Sequence, residues 1–113
     1  MTGTQTATLS ETISSQPSGI VLVWSYYSGG AQNYDWHYTY IPKSHVLNYG
    51  GSGTGINCGL WGTNATFNNV SSKYIYVTNT EVTGHDNNTA AGTGSSGIKY
   101  NNAQFVLRYI FGV

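Results

Sequence analysis

Ile20-Val21-Leu22-Val23-Trp24 is the longest unbroken apolar run in the chain. Side chains on a strand alternate between its two faces, so a run that is apolar at every position needs cover on both sides and predicts a central strand. It falls far short of the roughly 20 apolar residues that a membrane-crossing helix requires.

Around this run the pattern is all-β. No window of about 11 residues repeats its apolar positions with a helical period. Thr, Val, Ile and Tyr cluster instead in short runs separated by Gly, Asn and Ser. The first strand is expected at Gln5 to Ile13, followed by a turn at Ser14 to Gly19, the central strand, and a loop at Ser28 to Asn33. Tyr34 to Ile41 reads as a strand with Tyr34, Trp36, Tyr38 and Tyr40 on one face and Asp35, His37 and Thr39 on the other. Pro42 cannot donate to a ladder and should end it. A turn at Lys43 to Val46, a glycine-rich loop at Asn48 to Gly55, and a strand pair at Asn57 to Gly62 and Ala65 to Val70 come next. Lys73 to Thr78 is a further clear strand, and Ile98 to Tyr100 with Phe105 to Phe111 read as a terminal hairpin beyond a polar connector. At most one turn of helix is expected. Six to eight short strands in a single domain spanning 1–113 predict a β-sandwich with jelly-roll or Greek-key connections.

Charge narrows the functional classes. Four Lys plus Arg balance four Asp plus Glu, and only 7% of the 113 residues are charged, against about 25% in ordinary soluble domains. So few cations cannot build the phosphate-contacting surface on which nucleic-acid affinity rests, nor a polybasic patch for an anionic membrane, so neither partner is expected. Ten Tyr, three Trp and three Phe supply large apolar areas from few positions. Cys58 has no second cysteine to pair with and reads as a small buried residue.

Catalysis lacks its parts. Glu11, Asp35, Glu81 and Asp86 are the only acids, and no pattern brings two of them to the roughly 5 to 9.5 Å separation that a glycosidase pair needs. No G-x-S-x-G elbow is present. Asp86, Asn87 and Asn88 offer oxygen ligands and His37, His45 and His85 nitrogen ligands, but one carboxylate in the loop is too little charge for a cation site. The reading is therefore of a non-enzymatic chain with no catalytic residue, metal or cofactor. Sugar sites combine an aromatic platform with a few placed polar groups. Trp36, Trp61, Tyr27, Tyr49, His85, Asp86 and Asn87 have that chemistry. Against it stands the plainer reading, in which the aromatics are core and the Asn/Gly runs are turns. For Gly84-His85-Asp86-Asn87-Asn88 both a sugar-facing loop and a structural turn stay open. The last run, Phe105-Val106-Leu107-Arg108-Tyr109-Ile110-Phe111, is apolar on both faces apart from Arg108. It is either an internal strand or an edge strand whose second face another subunit covers, which makes Phe105, Leu107, Tyr109 and Phe111 interface candidates.

Three stretches carry a family resemblance: "SGIVLVWSYYSGGAQNYDWHYTYIPKSHV" (18–46), "SKYIYVTNTEVTGHDNN" (72–88) and "FVLRYIFGV" (105–113). In this order they resemble the C-terminal, receptor-binding head domain of tail fibre, baseplate and minor structural proteins of phages that infect Gram-positive bacteria. The resemblance is weakest between Asn48 and Asn69. It implies a β-sandwich homotrimer at the tail tip or fibre of a virion, at the end of a longer tail protein, binding host cell-wall saccharide and joined to other tail proteins. It transfers no sugar-binding residue set. A structural trimerisation cap and, less strongly, a polysaccharide depolymerase are the alternative functions.

Overall fold

A computed structural model describes residues 1–50, 54–63 and 70–113. The fold is all-β. Its strands are β1 (Thr6–Thr8), β2 (Gly19–Tyr26), β3 (His37–Pro42), β4 (Gly55–Trp61), β5 (Val70–Val77), β6 (Glu81–Thr83), β7 (Ala91–Thr93), β8 (Lys99–Asn101) and β9 (Phe105–Gly112). One short helix, α1 (Lys43–Tyr49), and 3-10 turns at Ile13–Ser15, Asp86–Thr89 and Asn102–Gln104 complete it. One sheet runs β3-β2-β9 and the other β1-β6-β5-β8-β7, with β4 antiparallel along β5. Among the described residues no helix is long and apolar enough to cross a membrane.

The apolar run becomes the centre of the three-stranded sheet, as its pattern predicts. Ile20, Leu22 and Trp24 of β2 join Ile13, Ile41 and Phe105 in one core cluster with Cys58, Leu60, Ile75, Val77 and Val82 of the other sheet. Trp24 is the largest fully buried side chain, and its indole Nε1 donates to Thr39 Oγ1 at 3.1 Å. That bond helps set which face of β3 is buried: His37 and Thr39 turn inward, and Tyr38 and Tyr40 turn out. His37 packs edge-on against Phe105 at 5.2 Å, and its Nε2 lies 3.0 Å from Trp61 N and 2.7 Å from Trp61 O at the end of β4. Asp35 takes a left-handed backbone (φ 56°), and its carboxylate accepts from Thr63 N at 3.0 Å and Thr63 Oγ1 at 2.7 Å. These contacts tie β3 of one sheet to β4 of the other.

Several sequence expectations need correction. The first strand is only three residues long, because the chain leaves the ladder after Thr8 and sends Ile13 into the core from a 3-10 turn. Lys43 to Val46 is not an isolated turn but the start of α1, seven residues long. Pro42 ends the ladder as expected, Lys43 N then donates to Ser18 O at 2.8 Å, and Val46 packs against the core. The terminal hairpin does not form. β8 pairs with β7 and β5 while β9 pairs with β2, and Asn102–Gln104 carries the chain from one sheet to the other. The polar connector contains β7, a strand its composition did not announce. The predicted partner of β4, Ala65 to Val70, lies outside the described residues except for Val70, which at the start of β5 pairs with Trp61.

Candidate functional site

Gly84-His85-Asp86-Asn87-Asn88 sits against the edge of β5, and the side chains of His85 and Asn88 are committed there. Gly84 lies so close to the start of the chain that any Cβ would strike the carbonyl oxygens of Met1 and Thr2. His85 caps the 3-10 turn, its Nδ1 accepting from Asn87 N at 3.1 Å. Its ring packs on Tyr74 at 5.3 Å and Tyr76 at 6.2 Å. Asn88 is fully buried. Its Oδ1 accepts from Tyr74 N at 2.6 Å, and its Nδ2 donates to Tyr74 O at 2.9 Å and Met1 O at 2.7 Å. One side chain thus makes the bonds to Tyr74 that a neighbouring strand would make.

Asn102 makes one such bond two residues along. Its Oδ1 accepts from Ser72 N at 3.0 Å, and its Nδ2 donates to Asn87 O at 2.8 Å. Between these two anchors Lys73 turns inward, 1% exposed. Its Nζ donates to Asn88 O at 2.8 Å and to Asn102 O. Burial pulls the Lys73 ammonium from 10.5 down to about 8. Neither Lys73 nor Asn102 was singled out as a site residue from the sequence, and Asn88 entered only as an oxygen ligand of a cation site that lacked charge. The available signal was Lys73 itself, a lone cation on the same strand face as Ile75 and Val77.

The pinned turn forms one wall of a cleft of about 310 Å³ on the outward face of the larger sheet. Asn57, Ser72, Tyr74, Asn87 and Tyr100 line it, with the committed Asn88 and Asn102 beside them. Tyr74 leans over Gly55, where any Cβ would overlap the phenol, and Tyr100 lies against Gly92. Of the saccharide candidates only Asn87 reaches this cleft. Trp61 ends β4, exposed on the same outward face as Asn57. Asp86 is exposed, and its side chain lies against Gly3. Tyr27 lines a separate cavity with Met1 and Gln5, and Tyr49 stands exposed at the end of α1, 6.1 Å from His45.

The second notable surface is the outward face of β3-β2-β9. Pairing places Tyr38, Val23 and Tyr109 in one cross-strand row and Tyr40, Val21 and Phe111 in the next. Tyr38 is 70% exposed, yet Val23 between its neighbours is 2% exposed, so flanking rings rather than another layer cover the central strand. Tyr109 and Phe111 stack at 5.9 Å. Arg108 is the extra residue of a bulge, since Val23 faces Tyr109 and Trp24 faces Leu107. Its Nη1 donates to Ser25 Oγ at 2.9 Å, Gln32 O at 3.1 Å and Asn33 Oδ1 at 3.2 Å, and its guanidinium sits 5.1 Å from the Trp36 ring centre and 5.6 Å from that of Tyr109. Two interface candidates are therefore on this face and two are not. Phe105, 2% exposed, belongs to the core of its own chain, and Leu107 packs partly against that core. The bulge is the reason, because it shifts the alternation of β9 between Leu107 and Tyr109.

Comparison of the chain with protein-family models, with curated proteins and with solved structures gives no match. Among the described residues no three His, Cys, Asp or Glu side chains come together as a metal-binding group.

Two predictions follow from the pinned turn. Asn88→Ala leaves Tyr74 N and O unpaired and should cost about 2–4 kcal/mol in chemical denaturation, whereas Asp86→Ala, an exposed site, should stay within about 0.5 kcal/mol; equal effects would contradict the assignment. For Lys73 the folded value near 8 lies below the unfolded 10.5, so between them the unfolded chain binds more protons. Stability relative to Lys73→Met should therefore rise as pH goes from 8 toward 10, and a difference between the two proteins that stays flat with pH would contradict the burial of the ammonium.

Proposed function

We propose that the chain is the non-enzymatic, saccharide-recognising head domain of a phage tail protein, a β-sandwich assembled as a homotrimer at the tail tip or fibre and joined there to other tail proteins. The sequence resemblance motivates this reading. The observation that carries it is the division of outward side chains between two faces. One is a continuous aromatic sheet face ending in the edge strand β9; the other is a concave, amide-lined cleft.

The aromatic face has the composition of an assembly surface: Tyr, Trp, Phe and Arg are enriched and other charges absent among Trp36, Tyr38, Tyr40, Arg108, Tyr109 and Phe111. β9 pairs only with β2 among the described residues, so its far edge offers unpaired backbone groups to a neighbouring copy. In a trimer each weak sugar site is multiplied, because linked sites make later binding events intramolecular. A structural trimerisation cap is the second reading, favoured by the spending of His85 and Asn88 on the fold. A depolymerase has less support, since the Asp35 carboxylate is engaged by Thr63 and that of Glu11 by Gln16 Nε2 at 3.1 Å.

Sedimentation equilibrium tests the assembly: the chain should weigh as a trimer, and Tyr109→Asp with Phe111→Asp should give a folded monomer. A monomeric wild type would contradict it. Isolated host wall polysaccharide should be retained by the wild type without release of reducing ends. Trimers that retain none of it would leave the cap reading in place.

A further inference from the structure

We infer that the cleft between Asn57 on β4, Tyr74 on β5, Asn87 on the 3-10 turn and Tyr100 on β8 is the saccharide site, and that it takes one ring of a neutral pyranose. This inference rests on the saccharide-binding reading and assigns it to residues that the sequence, Asn87 apart, did not single out.

The first support is shape. A volume of about 310 Å³ lies at the lower end of the roughly 300–1,000 Å³ typical of small-molecule sites, which suits a single sugar ring better than an extended chain. The second is chemistry. Two tyrosine rings offer apolar faces for C–H groups, while the Asn57 and Asn87 amides and the Ser72 hydroxyl offer paired donors and acceptors for vicinal hydroxyls. Among the described residues no charged side chain lines the cleft. Lys73, next to Ser72 and Tyr74 in sequence, points into the core with its Nζ on Asn88 O and Asn102 O, and Lys99, exposed beside Tyr100, lies outside the lining. A phosphate or uronate would find no counter-charge there, whereas a neutral sugar needs none.

The third support is a division of labour among four asparagines. The amides of Asn88 and Asn102 are used up by β5, Met1 and Asn87 O. Those of Asn57 and Asn87, exposed on either side, make no side-chain hydrogen bond to the described residues. The fourth is preorganisation. Tyr74 is held edge-on by Tyr76 at 5.5 Å and His85 at 5.3 Å and seated over Gly55, and the backbone carrying Asn87 is fixed at its N by His85 and at its O by Asn102. Ordering these groups before binding lowers the cost of capturing a weakly held ligand.

The test is an NMR titration of the full chain with methyl glycosides of glucose, galactose, rhamnose, N-acetylglucosamine and N-acetylgalactosamine, each to its solubility limit, with galacturonate and glycerol phosphate as anionic probes. At least one neutral glycoside should shift the side-chain amide signals of Asn57 and Asn87. Asn57→Ala combined with Asn87→Ala should then weaken that ligand at least about tenfold while leaving the thermal melt unchanged; Leu47→Ser, exposed on α1, should bind as the wild type does. Shifts confined to the Trp36–Tyr109 face, or an unaffected double variant, would overturn the site while leaving saccharide binding intact. Binding of the anionic probes alone in the cleft would overturn the neutral class. Failure of every glycoside while wall polysaccharide is still retained would overturn the single-ring site, and failure of the polysaccharide as well would sink the broader reading with it.

Discussion

Among the described residues the backbone of β5 between Ser72 and Tyr74 has no strand beside it on one edge, and the side chains of Asn88 and Asn102 take that strand's place. β6 meets β5 only at Tyr76 and Val77, and β8 only at Val70. Buried backbone groups left unpaired in the gap would each cost about 1–3 kcal/mol. The two asparagines remove that cost, and Lys73 fastens them from within by donating to both of their carbonyl oxygens. An ammonium is an expensive group to bury. Its lowered pKa reflects that burial, and the result is that the turns at Asp86–Thr89 and Asn102–Gln104 are both held against one strand.

Much of the surface layout follows from this anchorage and from the bulge at Arg108. With the Asp86–Thr89 turn fixed, Asn87 is presented at the mouth of the cleft across from Asn57. With Asn102 fixed, the chain leaves β8 for the other sheet, and Phe105 enters the core instead of pairing back as a hairpin. The bulge then resets the alternation, so that Tyr109 and Phe111 emerge beside Tyr38 and Tyr40. Rings that a composition-based reading assigns to the interior thus coat the outside of the three-stranded sheet. Among the described residues the core is mostly aliphatic, with Trp24 and Phe105 as its buried aromatics.

The all-β class and the central place of β2 were legible because both depend on the spacing of apolar residues along a few positions. The inward turn of His37 and Thr39 was not. Alternation says that two faces differ, but which one is buried depends on a partner, here the indole of Trp24, that lies on another strand. The missing hairpin has a similar origin: Asn101-Asn102 is good turn chemistry locally, and only the distant amide of Ser72 diverts it. Within T-G-H-D-N-N the sequence offered His85 and Asp86 as the chemically conspicuous residues. The residue that holds the fold is Asn88, whose importance comes from contacts with β5 and Met1 that no local pattern encodes.

Amide hydrogen exchange at Ser72 and Tyr74 tests the central claim most directly, because these two N–H groups are satisfied by side chains alone. If Asn88 and Asn102 stand in for a strand, both amides should be protected as strongly as Tyr76, which pairs with β6. Asn88→Ala should expose Tyr74 while leaving Tyr76 protected. Rapid exchange at Ser72 and Tyr74 in the wild type, with the rest of β5 protected, would contradict the account.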